Sequence, residues 1–323
     1  MEAISGGGAV NYAPRMFEAT QALGADRRVR LLGQPHLHEY IAFVKEKTVG
    51  GERADVRALA DEWRAANDHF YELEQSEAGL ADEVESEPIG PSLRPLADAL
   101  EATPRFKAAF DALPTTIERV ELDRLVVCQQ SVSLGFAADL QARLSSEPDD
   151  EELFRFCLPM SPSVAPVEVT RLDEYRYLFT SDSSDFRPHE PTLLRPGEAT
   201  GLPSHDPVGA VLGLPVGFGS NFLQAVRVDG RLILHNGYHR AYALRAHGLT
   251  HAICVLQEVT RRDELKLIGA DAVVDAPEFY CRAARPPLFK DFFDPKVSKI
   301  LDVRRMRRVI EVKLDVREFQ IVD

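Results

Sequence analysis

The chain has 323 residues with a net charge of −13 at neutral pH, and 45% of its residues are hydrophobic and 28% charged. That balance belongs to a globular protein and excludes a low-complexity or disordered chain, while the length suffices for one large domain or two ordinary ones. So acidic a chain is a poor coat for nucleic acid, which requires many phosphate neutralisations.

The longest apolar run, Gly209 to Gly219, is too short and too glycine-rich to span a bilayer, so no membrane partner is expected. The opening stretch, Met1 to Pro14, has an early acid and no basic region ahead of an apolar core, unlike a secretory signal. Cys128, Cys157, Cys254 and Cys281 show no CxxC spacing and read as buried free thiols of a reducing compartment, the cytoplasm. The negative charge is uneven: there are 15 basic and 27 acidic residues up to Asp150, against 23 and 24 beyond it. Arg282 to Lys313 holds ten basic and four acidic residues, and its strip Arg304 to Arg308 is either a solvated edge or a contact for a phosphate-bearing partner.

The first third reads as helical. Pro35 to Lys47 forms one segment, and Gly51 to Gln75 another, with Val56, Leu59, Trp63 and Phe70 near a 3.6-residue period. Thr103 caps, and Pro104 opens, a helix with Phe106, Ala109, Phe110 and Leu113 on one face. Between them, the acidic and proline-punctuated Glu83 to Pro95 reads as a surface loop. Ile117 to Val132 reads as a strand with Leu125 to Cys128 buried, and Leu134 to Leu144 as a helix. The charged turn at Ser145 to Glu152 is the domain boundary expected, dividing a mainly helical region 1–148 from an α+β domain 149–323.

Short strands follow around Val167 to Val169 and Tyr175 to Thr180. Arg187 to Pro207 is a proline-rich excursion of the length that often serves as a binding loop or partner arm. The chain ends on alternating Ile310, Val312, Leu314 and Val316, a half-buried strand.

The densest chemistry lies between Leu232 and Leu256, starting within a hairpin that begins at Ala225. Asp229-Gly230 joins two alternating strands in the manner of a type I′ hairpin. Gly237 then permits a tight turn or a close backbone approach, and from Tyr238 the pattern is helical until Gly248 stops it ahead of another strand. A helix N-terminus presents free N–H groups and a positive dipole end, so an anion binds there with little reorganisation. His239 and Arg240 sit in that first turn, where the dipole alone does not favour cations; facing an anionic ligand explains the pair. The plain alternative is a strand-ending glycine, a satisfied half-buried histidine and an arginine paired with a surface acid.

Asn236-Gly237-Tyr238-His239-Arg240, followed by helix and strand, resembles the signature of the ParB/sulfiredoxin-like superfamily over Leu223 to Val259. Members carry a Gly-x-[His/Arg]-Arg turn that binds nucleotide phosphates. The resemblance implies a phosphate site made of Asn236, Gly237, Tyr238, His239 and Arg240, with ATP or CTP and Mg2+ as the ligand. Gly237 would admit the phosphate to the backbone, and His239 and Arg240 would donate to its oxygens. Gly219, Ser220 and Asn221, in the glycine-rich lead-in, would form a wall over the ligand or a plain loop. Two departures narrow the chemistry: Tyr238 stands where sulfiredoxins need a cysteine, and Asn236 where several members have Asp. The helix-turn-helix of the partition proteins is not found.

No catalytic residue is identified; His205, Asp206 and Glu258 are the nearest bases in sequence. His235 and His239, like His247 and His251, are four apart, but Gly237 and Gly248 interrupt both pairs, so no metal-ligand motif results. The expected fold is α+β, a helical N-terminal region and a mixed domain around the hairpin-helix-strand unit. The expected function is binding of a nucleotide or other phosphate ligand by a homo-oligomer, with phosphoryl transfer or NTP hydrolysis as its enzymatic form. A non-enzymatic scaffold or assembly protein is the alternative. A DNA-binding or nuclease relative is a third, weakened by the acidity.

Overall fold

In a computed structural model of the chain, residues 24–34, 36–161, 164–183, 185–201 and 207–321 are described. Met1 to Pro14, Pro35, His205 and Asp206 lie outside them. The first elements are β1 (Ala25–Leu31), α1 (Leu37–Lys47) and the long α2 (Val56–Glu77). Asp55 caps α2 by accepting the Arg57 N–H at 2.9 Å. The helical period buries Leu59, Ala66 and Phe70, whereas Val56 in the first turn stays exposed.

The stretch expected as a plain surface loop carries β2 (Ser86–Pro88). It leads to α3 (Arg94–Glu101) and α4 (Pro104–Phe110), where Thr103 Oγ1 accepts the Phe106 N–H at 3.2 Å. Because α4 ends at Phe110, its buried face is Phe106 and Phe110, and Ala109 is exposed. The single strand expected over Ile117 to Val132 is three: β3 (Thr115–Glu121), β4 (Val126–Val127) and β5 (Ser131–Ser133). A turn closed by the Leu125 N–H on the Leu122 carbonyl separates the first two. Then come α5 (Leu134–Gln141) and α6 (Asp150–Cys157), the latter capped by Asp149, which accepts the Glu152 N–H at 2.8 Å.

Beyond these lie β6 (Glu168–Arg171), β7 (Arg176–Ser181), β8 (Arg187–Pro188), β9 (Thr192–Leu194), β10 (Val211–Gly213) and β11 (Val216–Gly217). The proline-rich excursion thus contains two short strands, β8 paired with β11 and β9 paired with β10. The expected hairpin-helix-strand unit is present as β12 (Gln224–Val228), β13 (Arg231–Asn236), α7 (Tyr238–Ala246) and β14 (His251–Val259). Short helices α8 (Asp271–Asp275) and α9 (Pro277–Cys281) precede β15 (Ser298–Arg304) and β16 (Arg308–Lys313). Pairing to β7 stops at Lys313, so Leu314 and Val316 continue the alternation without cover, 45% and 75% exposed.

The architecture is α+β around a six-stranded mixed sheet in the order β2-β3-β14-β12-β13-β4. Strand alternation sorts its side chains to two faces. Ala225, Leu232 and Leu234 join one core with residues of α3, α4, α6 and α7, while Val226 and Ile233 join another with Val273 and Tyr280 of α8 and α9. Strands from both sides of the expected 148/149 boundary share this sheet, and the first core unites Phe106 and Phe110 with Phe154, Phe222 and Leu244. The turn at Ser145 to Glu152 therefore does not separate one core from another: its charge and turn residues mark a surface crossing. The N-terminal region is likewise not only helical, since β1 sits between β15 and β5 in a second, three-stranded sheet. Cys157, Cys254 and Cys281 are buried and Cys128 half-buried, all as free thiols. No helix among the described residues is long and apolar enough to cross a membrane.

The end of α2 is fastened to the C-terminal segment by Arg285, whose side chain is 1% exposed. Its guanidinium bonds Glu77 at 2.9 Å and Asp291 at 2.6 Å, and Asp291 Oδ2 also accepts the Leu288 N–H at 2.8 Å. Arg285→Met leaves the Asp291 carboxylate buried and unpaired, a loss of about 3–5 kcal/mol in chemical denaturation. Adding Asp291→Leu recovers most of it.

Candidate functional site

The site is built at the start of α7. Gly237 caps that helix with φ +90°, and a Cβ there would lie 2.8 Å from Leu223 Cα. Leu223 cannot yield, because its N–H donates to the Cys157 carbonyl and its carbonyl accepts the Val255 N–H, both at 3.0 Å. The group that requires glycine at 237 is thus the chain's own backbone at Leu223. Asn236 Oδ1 accepts the Gly237 N–H at 2.8 Å and closes the turn.

Tyr238 is 3% exposed. Its hydroxyl donates to the Leu234 carbonyl at 2.6 Å and accepts the N–H groups of Cys128 at 3.0 Å and Gln129 at 3.2 Å. The side chain ties the end of β13 to the β4–β5 connection, and burial pushes the phenol well above its ordinary value.

His239 reaches across to β5, where Nε2 accepts the Ser133 N–H at 3.1 Å. Its ring lies edge-on to Phe136, centroids 5.0 Å apart. Burial, reinforced by Arg28, pulls its pKa down to about 4, so at neutral pH it is an uncharged acceptor with its proton on Nδ1. It holds the α5 start in place; it is not a cation for phosphate.

Arg240 is different. It is only 8% exposed, its Nη1 donates to the Asn221 carbonyl, and no carboxylate among the described residues pairs with it. Burial pulls its pKa down to about 10, with Arg105 and Arg143 pushing the same way against Cys157, and it remains a cation at neutral pH. The surface ion pair of the plain alternative is absent. Arg105, over the Phe222 ring at 4.3 Å, donates to the Ser220 carbonyl, so two guanidiniums hold consecutive carbonyls of one loop. The Gly219 N–H donates to Asp185 Oδ2 at 2.7 Å, and Asn221 takes a left-handed φ of 58°. Gly219 and Ser220 support this wall from behind, and Asn221 is its face towards Arg240.

These residues open on a cleft of about 1810 Å3. Asn221, the turn Asn236 to Arg240, and the first turn of α5 from Ser133 to Phe136 line it, together with Arg27, Arg28 and Arg143 and with carboxylates such as Asp139 and Glu152. The basic strip divides: Arg304 pairs with Glu52 and Arg307 with Glu168 and Asp182, whereas Arg305, Met306 and Arg308 line the cleft. The backbone N–H groups of Tyr238, His239 and Arg240 have no acceptor among the described residues, as expected for the first turn of a helix without a side-chain cap.

Other candidates do not converge here. Glu258 is exposed beside Arg227, at 3.8 Å, and is not among the cleft residues. His247 and His251 contact Ser146 and Glu85 respectively. Asp26 does line the cleft, but it is engaged by Arg28 Nε and Ser133 Oγ, each at 2.7 Å. Among the described residues no three His, Cys, Asp or Glu side chains meet as a metal site, and the turn carries Asn236 where an acid would be a Mg2+ ligand. Arg105, Ser133, Phe136 and Arg143 were missed by the sequence reading. Only Ser133, a cap residue ahead of an apolar helix, left a local signal.

No protein-family model matches the chain, and no curated protein or solved structure is detectably similar to it.

The folded state holds His239 at about 4 against an ordinary 6.5, so between those values the unfolded chain binds more protons and stability falls as the pH falls. His239→Gln keeps an acceptor for Ser133 without titrating. Relative to that variant, the wild type should lose up to ~1.4 kcal/mol per pH unit from 6.5 down to 4, and nothing above 7. Urea denaturation across that range checks it.

Proposed function

We propose that the cleft binds a phosphate-bearing small molecule, and that the ligand is a nucleotide as the ParB/sulfiredoxin-like resemblance implies. The observation that carries this reading is Arg240, a buried cation with a single neutral acceptor among the described residues, beside three N–H groups of a helix start that find no acceptor among them. Buried charges are ordinarily paired, and a phosphate oxygen is the stronger acceptor: hydrogen bonds to charged groups contribute about 1.5–3 kcal/mol, against about 0.5–1.5 for neutral ones. In this reading the phosphate sits on the Tyr238, His239 and Arg240 N–H groups, the guanidinium closes over it, and Asn221 forms the facing wall. His239 and Tyr238 act on the frame that holds the turn. The proposal is one of binding. Neither a thiol nor an acid occupies the positions where the resemblance would put a catalyst.

The scaffold reading retains one specific observation. Leu193 and Leu212 face each other across the β9–β10 ribbon while 78% and 68% exposed, an apolar pair suited to a partner surface.

Thermal unfolding with pyrophosphate, ATP and CTP separates the two. A ligand at a hundred times its Kd stabilises the fold by about 2.7 kcal/mol, so at least one of these should raise the Tm, and Arg240→Lys, which keeps the charge but loses the planar fork, should cut the shift severely. A flat profile across all three ligands sinks the phosphate reading and leaves the scaffold.

A further inference from the structure

The first turn of α5 makes two locally unfavourable choices side by side, and both face the cleft. Gly135 is the second residue of that helix, a place where glycine is among the weakest formers. Nothing in the fold requires it: its φ is not left-handed, and a Cβ built there meets no atom within 4 Å. Phe136, next to it, is 51% exposed although it lines a concave wall. Its ring is held edge-on at 71° by His239. Ser133 fixes the turn by accepting the Phe136 N–H at 3.3 Å, and Asp26 in turn accepts from the Ser133 hydroxyl. The result is an open glycine floor beside a presented aromatic ring, fastened through His239 to the helix turn that carries Arg240.

We infer that Gly135 and Phe136 form a second subsite of the cleft, for a flat aromatic or heteroaromatic ring carried by the same molecule whose phosphate lies on α7 and Arg240. The inference rests on the phosphate reading above and adds the place of the ring: a bare inorganic anion or an aliphatic phosphate would fill the phosphate position and leave this subsite empty. A ring laid over Gly135 reaches Phe136 at the offset or edge geometry that aromatic pairs favour, and a side chain at 135 would occupy that place. Both unfavourable choices then have one cause.

Calorimetric titration of the full chain with inorganic pyrophosphate and with ADP and CDP tests it, using wild type, Gly135→Leu and Phe136→Ala. The wild type should bind at least one ring-bearing diphosphate roughly tenfold or more tighter than pyrophosphate, the order that one good ring contact supplies. Gly135→Leu should abolish that excess and leave pyrophosphate affinity intact, and Phe136→Ala should reduce the excess. Because nothing surrounds the missing Cβ, Gly135→Ala should raise the Tm, which separates loss of binding from loss of fold. Equal affinities for pyrophosphate and both nucleotides, or equal weakening of all ligands by Gly135→Leu, would overturn the ring subsite while leaving the phosphate reading in place. Absence of pyrophosphate and nucleotide binding alike would remove both.

Discussion

A guanidinium withdrawn from water has to find acceptors, and among the described residues Arg240 has only the carbonyl of Asn221. Around that fact the neighbourhood is organised. Arg105 takes the adjacent Ser220 carbonyl, Asp185 takes the Gly219 N–H, and Asn221 accepts a left-handed backbone, so the loop before β12 is pinned facing the charge. The charge in turn sits where it does because α7 starts against Leu223, at a distance only glycine tolerates. Removing the backbone approach at Gly237 would shift the helix start, the guanidinium and the loop together.

The remaining side chains of the motif serve rigidity. Tyr238 is a buried three-way hydrogen-bond junction between β13 and the β4–β5 connection. His239, held neutral, positions the α5 turn that forms the opposite wall. One five-residue segment thus holds a cation, three N–H groups without an acceptor among the described residues, and the clamps that keep both walls of the cleft in register. Preorganisation of this kind lowers the ordering cost of binding, since loop and side-chain freedom is already lost before a ligand arrives.

What was legible in the sequence was local. The Asp229-Gly230 hairpin, the Gly237 turn, the helix and its stop at Gly248 each follow from a residue type at a fixed offset, and all appear where expected. The α+β class was legible for the same reason. What Tyr238 and His239 do was not, because the groups they hold lie more than a hundred positions away, at Cys128 and Ser133, and the same separation hid Arg105, which meets Ser220. A histidine beside an arginine in a helix's first turn reads as a pair of cations until burial and an N–H donor make one of them neutral. The boundary at Ser145 to Glu152 misled for a related reason. Charge and turn residues report where the chain crosses the surface, not whether strands on either side share a sheet. The alternation at the C-terminus predicted a strand through Val316, but alternation does not reveal where the partner strand ends.

The central claim is spatial: an anion has its place on the first turn of α7, within reach of Arg240. Anomalous diffraction from crystals soaked in tungstate locates such an anion directly. The account predicts a peak within hydrogen-bonding distance of the Tyr238, His239 and Arg240 backbone nitrogens and of the Arg240 guanidinium. Peaks confined to Arg27, Arg28 or Arg143, or no peak in the cleft, would contradict it.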